Sequence, residues 1–328
     1  MSEYVLYLLG AGASSQVLPV ASAFAGQLDL FAKTLNVLRP RDIVGDSNVS
    51  SALLGTWGRK QQDLLNAIKW LAEESSRHIS VDTFAKKLFF LNDGQNLKKL
   101  KAALSAYLVI EQSRQHVDKR YDAFFASILQ FDSDKQRVFL PKHLRILTWN
   151  YDTQLEKAFY GFCKDKNRVI EEVTSNKHIY RINGCCGTHL TGQVDKSFNA
   201  VLNTTINPAW AEGINLYNAY MADPLLEPGI HFAWEDPTRK KLEDDGSNLL
   251  SQLSETADIV MIGYSFPYFN REIDDSIFKQ FFHVNRVYLQ YPEGVHASIK
   301  ERIQKILPSH EEIIEITGTD LFYIPDDF

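Results

Sequence analysis

Val5 to Leu9 (VLYLL) is an unbroken apolar run that stops at Gly10. Such a run predicts a strand buried on both faces, as in a parallel sheet. Glycines and Ser14 follow, and then the spacing predicts a helix through about Asn36. Residues 40–60, rich in Gly, Ser, Asp and Pro, read as a long loop. From about 61 to 131 the period becomes helical. Leu64, Leu65, Ile68, Leu71 and Ala72 share one face; Leu97, Leu100, Leu104, Tyr107 and Leu108 share another; Tyr121, Phe124, Phe125, Ile128 and Leu129 a third. Their aromatic members read as core, and residues 40–135 as a helical insertion. Short apolar runs predict strands at 144–148 (LRILT), 168–173 (RVIEEV) and 178–182 (HIYRI). Residues 190–246, broken by Pro208, Pro224, Pro228 and Pro237, read as an irregular segment. The end of the chain alternates: strand 258–262, helix about 270–282, strand 286–290, helix about 295–306, strand 312–316. Strand–helix alternation at both ends, with helices between, predicts an α/β fold with a doubly wound, mainly parallel sheet.

The composition changes this picture little. With 328 residues, 45% hydrophobic and 23% charged, the chain reads as globular and long enough for one large domain. A net charge of −6 gives no bulk attraction to nucleic acid, so no direct nucleic-acid partner is expected. Lys98, Lys99 and Lys101 read as the solvated face of a helix. The N-terminal apolar run lacks the basic flank of a signal peptide, and no other stretch approaches a membrane span. A cytoplasmic protein with no membrane partner is the expectation.

Three cysteines, Cys163, Cys185 and Cys186, argue against a disulfide framework. There is no C-x-x-C pair, so no metal is expected, and Cys185 and Cys186 read as buried thiols.

Four polar stretches follow predicted strands. Gly10-Ala11-Gly12-Ala13-Ser14 permits a tight turn and close approach of a pyrophosphate to backbone N–H groups, although Ser15 stands where a dinucleotide fingerprint has its third glycine. A ligand-free turn is the alternative. Thr148-Trp149-Asn150-Tyr151-Asp152 follows the strand ILT. Asp152 suits a helix N-cap. Asn150 both accepts and donates, which suits a ribose or a positioned water. Gly263-Tyr264-Ser265-Phe266-Pro267 follows DIVMI, with Pro267 placed to set up the next helix. Within HIYRINGCCGTH, Asn183 ends the strand just before Gly184. All four fall at the carboxyl edge of one sheet, where such folds bind ligands.

GAGAS, TWNYD, the x-G strand end and GYSFPYFNREID together resemble the sirtuin superfamily, and most of all the bacterial sirtuin-like domains of antiphage defence. The motifs span residues 4–290, with the helical insertion and the last forty or so residues outside the likeness. The resemblance implies a Rossmann-like domain over 1–328 that binds NAD and cleaves the bond between nicotinamide and ribose. By it, Gly10, Ala11, Gly12, Ala13 and Ser14 match the phosphate-side NAD loop, joined by Thr148. Asn150 matches the asparagine required for cleavage, with Asp152 holding the loop. Gly263 and Ser265 match the later NAD-contacting loop, and Tyr264 and Phe266 of the same stretch are expected to bind the cofactor with them. An NAD hydrolase that was always on would be toxic, so a homo-oligomer and a gating partner, an ATPase or other defence protein, are expected; the cysteines give no reason to expect a metal.

The chain departs from the family twice. Sirtuin deacylases carry a four-cysteine zinc module, which three cysteines cannot build, so protein deacylation is disfavoured. The family's catalytic His stands where this chain has Asn183. NAD cleavage survives such a change on physical grounds. Nicotinamide leaves as a neutral molecule and needs no general acid, and the developing oxocarbenium centre is strongly electrophilic. A missing general base costs on the order of 10²–10⁴ in rate. His189 and His178 are candidate substitutes. The expectation is an NAD hydrolase with Asn150, Asp152 and Asn183 at its centre; the alternative is a weakly catalytic NAD or ADP-ribose sensor that recruits a defence partner.

Overall fold

The computed structural model describes residues 4–44, 50–174, 178–202, 209–235, 253–282, 284–307, 310–326 and 328. Its centre is a parallel sheet of six strands: β1 (Tyr4–Leu9), β4 (Leu144–Thr148), β5 (Ile179–Arg181), β8 (Thr256–Ile262), β9 (Val284–Gln290) and β10 (His310–Ile316). Their order across the sheet is β10-β9-β8-β1-β4-β5. From β1 the chain winds one way through β4 to β5, then returns to the other side of β1 for β8, β9 and β10. This is the Rossmann-like, doubly wound order, and its switch point lies between β1 and β8. β1, β4 and β8 are buried along nearly their whole length, as the unbroken apolar runs require.

Between β1 and β4 lie α1 (Phe24–Val37), α2 (Pro40–Val44), α3 (Ser51–Arg77), α4 (Val81–Phe90), α5 (Gly94–Arg114) and α6 (Lys119–Ile128), then a hairpin of β2 (Gln130–Asp132) and β3 (Arg137–Phe139). Three expectations change here. No α-helix starts at Ser14: two short 3-10 turns occupy Ala11–Ser14 and Ala21–Ala23, because Pro19 denies the preceding residue a helical backbone. Within the loop expected at 40–60, α2 and the first turns of α3 form, the latter capped by the Ser50 hydroxyl, which accepts from Leu53 N–H; residues 45–49 lie outside the described residues. The lysines at 98–101 are engaged rather than simply solvated: Lys98 and Lys101 pair with Glu227 and Glu235, and Lys99 lies over the Trp70 ring.

After β4 come α7 (Gln154–Cys163) and α8 (Lys166–Thr174). The strand expected at 168–173 is therefore helix. Lys164, in the left-handed region at φ 54°, ends α7, and the Asp165 carboxylate accepts from Asn167 N–H to start α8. Beyond β5, β6 (Gly184–His189) pairs antiparallel with β7 (Pro228–Ile230). The segment expected to be irregular also holds α9 (Lys196–Leu202) and α10 (Trp210–Ala222); Pro237 and its neighbours lie outside the described residues. α10 buries Trp210, Ile214, Tyr217 and Tyr220 in the same core as α1, α3 and α5. The helical layer thus combines the insertion with a segment a hundred residues later. After β8, α11 (Arg271–Phe278) and α12 (His296–Ile306) pack into a core shared with β8 and β9.

Candidate functional site

The bends after β1 and β8 touch through their backbones. A Cβ added to Gly10 would lie 2.6 Å from the Gly263 carbonyl oxygen, and one added to Gly12 2.7 Å from Gly263 Cα. Gly263 itself has φ +63°, a conformation that favours glycine. This contact uses up amides. Gly10 N–H donates to Ile262 O, Gly12 N–H to Gly263 O, and Ala13 N–H to Gly10 O. These three N–H groups serve the fold, which corrects the expectation that they cradle a pyrophosphate; the four-residue 3-10 turn likewise supplies no extended helix dipole.

Ser14 is buried and faces inward. Its hydroxyl lies 3.2 Å from Tyr121 Oη and accepts from Asn150 Nδ2 at 3.4 Å. The loop after β4 is held from several directions. Asn150 N–H donates to Thr148 Oγ1 at 3.1 Å, and Arg181 Nη1 donates to Asn150 O at 3.0 Å. Arg181 is itself fixed by a buried pair with Glu156, its Nε donating at 2.9 Å. Asp152 does not cap by the expected position: Thr153 is the N-cap of α7, and Asp152 Oδ1 accepts from Gln154 N–H at 3.0 Å. Burial raises the Asp152 pKa, while the Gln154 N–H, Arg181 and Ser14 oppose the shift.

Asn183 follows β5 and is 5% exposed. Its Nδ2 donates to Trp149 O at 3.0 Å, which leaves Oδ1 without a partner among the described residues. Trp149 stacks on Tyr264 with ring centroids 5.1 Å apart and planes 1° from parallel. The Tyr264 hydroxyl donates to Asp274 and accepts from Asn270, both in or beside α11.

These groups border one cavity of about 310 Å³. Ala11, Ser14, Asn150, Asp152, Asn183, Gly263, Tyr264 and Ser265 all line it. Gly10, Gly12, Ala13, Thr148 and Phe266 do not. The first three form the backbone seam described above, and Thr148 supports Asn150 from below. Phe266, at φ +50°, packs its ring on Tyr264 and Phe278. Neither His178 nor His189 borders the cavity; His189 sits beside Asp195 and Tyr220 in the small antiparallel region.

The helical layer closes the other side, with Ser80, Val81 and Asp82 at the start of α4 and Leu104 and Leu108 on α5. Three residues of this layer, none apparent from motif matching, hold the site loops. Asp82 Oδ1 accepts from Tyr151 Oη at 2.7 Å. Gln112 Oε1 accepts from Thr153 N–H at 2.8 Å. Arg120, paired with fully buried Asp118, donates to Gly12 O at 3.2 Å and Ala13 O at 3.1 Å. A signal for two of them existed: Gln112 continues the i, i+4 line of Leu104 and Leu108, and Arg120 precedes Phe124 on another apolar face, so both are polar residues in buried registers. His231 was also missed; its N–H donates to Asn183 O at 3.0 Å.

No family model, curated protein or solved structure matches this chain. What the cavity can do follows from its own groups. It offers carboxamides and hydroxyls fixed by buried partners, two carboxyls, and aromatic and aliphatic walls, but no lysine, arginine or histidine among the described residues. No cluster of three metal-ligating side chains occurs among the described residues. No helix among them is long and apolar enough to cross a membrane. Such a site is suited to gripping a neutral polar ligand at the sheet edge.

Proposed function

We propose that this protein is a sirtuin-like NAD hydrolase, releasing nicotinamide and ADP-ribose, that acts in antiphage defence by depleting cytoplasmic NAD. The observation that carries this reading is the convergence of Asn150, Asp152 and Asn183 on one cavity at the sheet's switch point, beside the joined Gly10–Ser14 and Gly263–Ser265 bends. Ligands of doubly wound folds bind at this place. At about 310 Å³ the cavity lies at the lower end of small-molecule sites, a size for the reacting half of a dinucleotide rather than the whole.

In this reading the nicotinamide ribose enters the cavity. Asn150, its amide held by Ser14 and its backbone by Arg181, orients the ribose or the attacking water. Asn183 Oδ1 is a second acceptor for that water. Asp152 keeps the loop in register through Gln154. Positioning and water exclusion then supply the rate, because the leaving group needs no proton. Constant activity would be toxic, so assembly into a homo-oligomer or a partner ATPase or other defence protein gates it. Purified protein incubated with NAD is expected to release nicotinamide, and Asn150→Ala to abolish release without unfolding the protein.

One observation favours a second reading, a sensor that binds NAD or ADP-ribose with little turnover. The cavity has no histidine or lysine among the described residues, and Asn183 stands where the family has its base. Tight NAD binding without nicotinamide release, in both the native protein and Asn183→His, would favour the sensor.

A further inference from the structure

The cavity's charge is one-sided. Asp82 enters from the first turn of α4 and Asp152 from the loop after β4, while no cation borders the space among the described residues. Burial raises the pKa of both carboxyls, Asp82 against the pull of the Tyr151 hydroxyl. A third acceptor joins them independently. Asn183 is 5% exposed, its Nδ2 is committed to Trp149 O, and its Oδ1 has no partner among the described residues. The amide's orientation is therefore set by its donor half, and an acceptor faces the ligand.

A negatively charged group in this space would meet two acids and a carbonyl oxygen with no cation bordering it among the described residues, and burying an unpaired charge is costly. A neutral group carrying N–H or O–H bonds would find acceptors instead. We infer that Asp82, supplied by the helical layer, is a specificity-determining residue that admits a pyridine dinucleotide bearing a neutral carboxamide and rejects its counterpart bearing a carboxylate. The inference rests on the NAD reading and names the substrate class within it. Asp82 suits the role because its Oδ1 is already steadied by Tyr151 at 2.7 Å, which holds the carboxyl at the cavity wall.

Calorimetric titration of the full chain with NAD and with nicotinic acid adenine dinucleotide tests this. The native protein is expected to bind NAD at least about tenfold more tightly than the acid analogue, the scale of one partly screened charge contact. Asp82→Asn keeps the shape and an acceptor for Tyr151, and is expected to narrow that ratio several-fold; a thermal melt confirms that it folds. Equal affinity of the native protein for both nucleotides, or an unchanged ratio in Asp82→Asn, overturns the inference while leaving the NAD reading intact. Absence of binding by either nucleotide overturns both.

Discussion

Gly263 shows how little room the site leaves at single positions. Its φ is +63°, and an added Cβ would lie 2.6 Å from the Gly12 carbonyl carbon. Its nearest neighbours are all backbone atoms of Gly12 and Ala13, so none can swing aside. Gly263→Ala is expected to cost at least about 2 kcal/mol, from overpacking and a strained backbone together, measured as a lowered urea midpoint. A midpoint equal to the native one would mean that the two bends are not in contact. Asn183 carries the opposite expectation, a gain. Asn183→His would place a base at the strand end and is expected to raise nicotinamide release by about 10²-fold or more, read in a steady-state assay. The polar residues of the motifs were legible in the sequence because each follows an apolar run at a strand's end. Their division of labour was not. Ser14, expected among the phosphate-side residues, instead bonds Asn150 and Tyr121. Thr148 supports Asn150, and Phe266 turns away into the core. A one-dimensional pattern marks a polar residue at a rim but not which partner its atoms reach.

At the scale of elements, α5 and α6 act as struts. Arg120 on α6 holds the carbonyls of Gly12 and Ala13, and Asp118 N–H donates to Gln154 Oε1, whose own N–H reaches Asp152. Arg120→Met would leave the Asp118 carboxylate buried without its partner, at a cost of about 3–5 kcal/mol. Hydrogen exchange should then quicken in residues 11–15 and 150–153 together; faster exchange in only one loop would contradict the strut. α11 carries a pH-dependent contact. Burial lifts the Asp274 pKa to about 7, with the Tyr264 hydroxyl and Arg302 pulling it down. The folded state keeps a proton that the unfolded chain releases near about pH 4. Asp274 thus favours folding below about 4, and that contribution is lost as pH rises through about 7. Urea unfolding at pH 5 and pH 8 should show native stability falling by more than in Asp274→Asn; identical changes would remove Asp274 from the account. Two of the helices that the sequence missed, the start of α3 and α10, share a cause. Gly55 and Gly58 inside α3, and prolines either side of α10, mimic loop chemistry, while burial against distant helices stabilises the elements.

At the scale of the molecule, the sheet was the most legible part. β1, β4, β8, β9 and β10 each follow from a short apolar run, and the doubly wound order follows from their alternation with helices. The union of the insertion with α10 was not legible, since Trp210, Tyr217 and Phe31 meet only in three dimensions. The insertion walls one side of the switch-point cavity, with the start of α4 and the middle of α5 lining it. The central claim is that this space cleaves NAD. Quantifying nicotinamide released from NAD by the purified native protein, with Asn150→Ala alongside, tests it most directly. The account predicts sustained release by the native protein and at least a 10²-fold loss in the variant. Equal release by both, or none by the native protein in any assembly state, would contradict it.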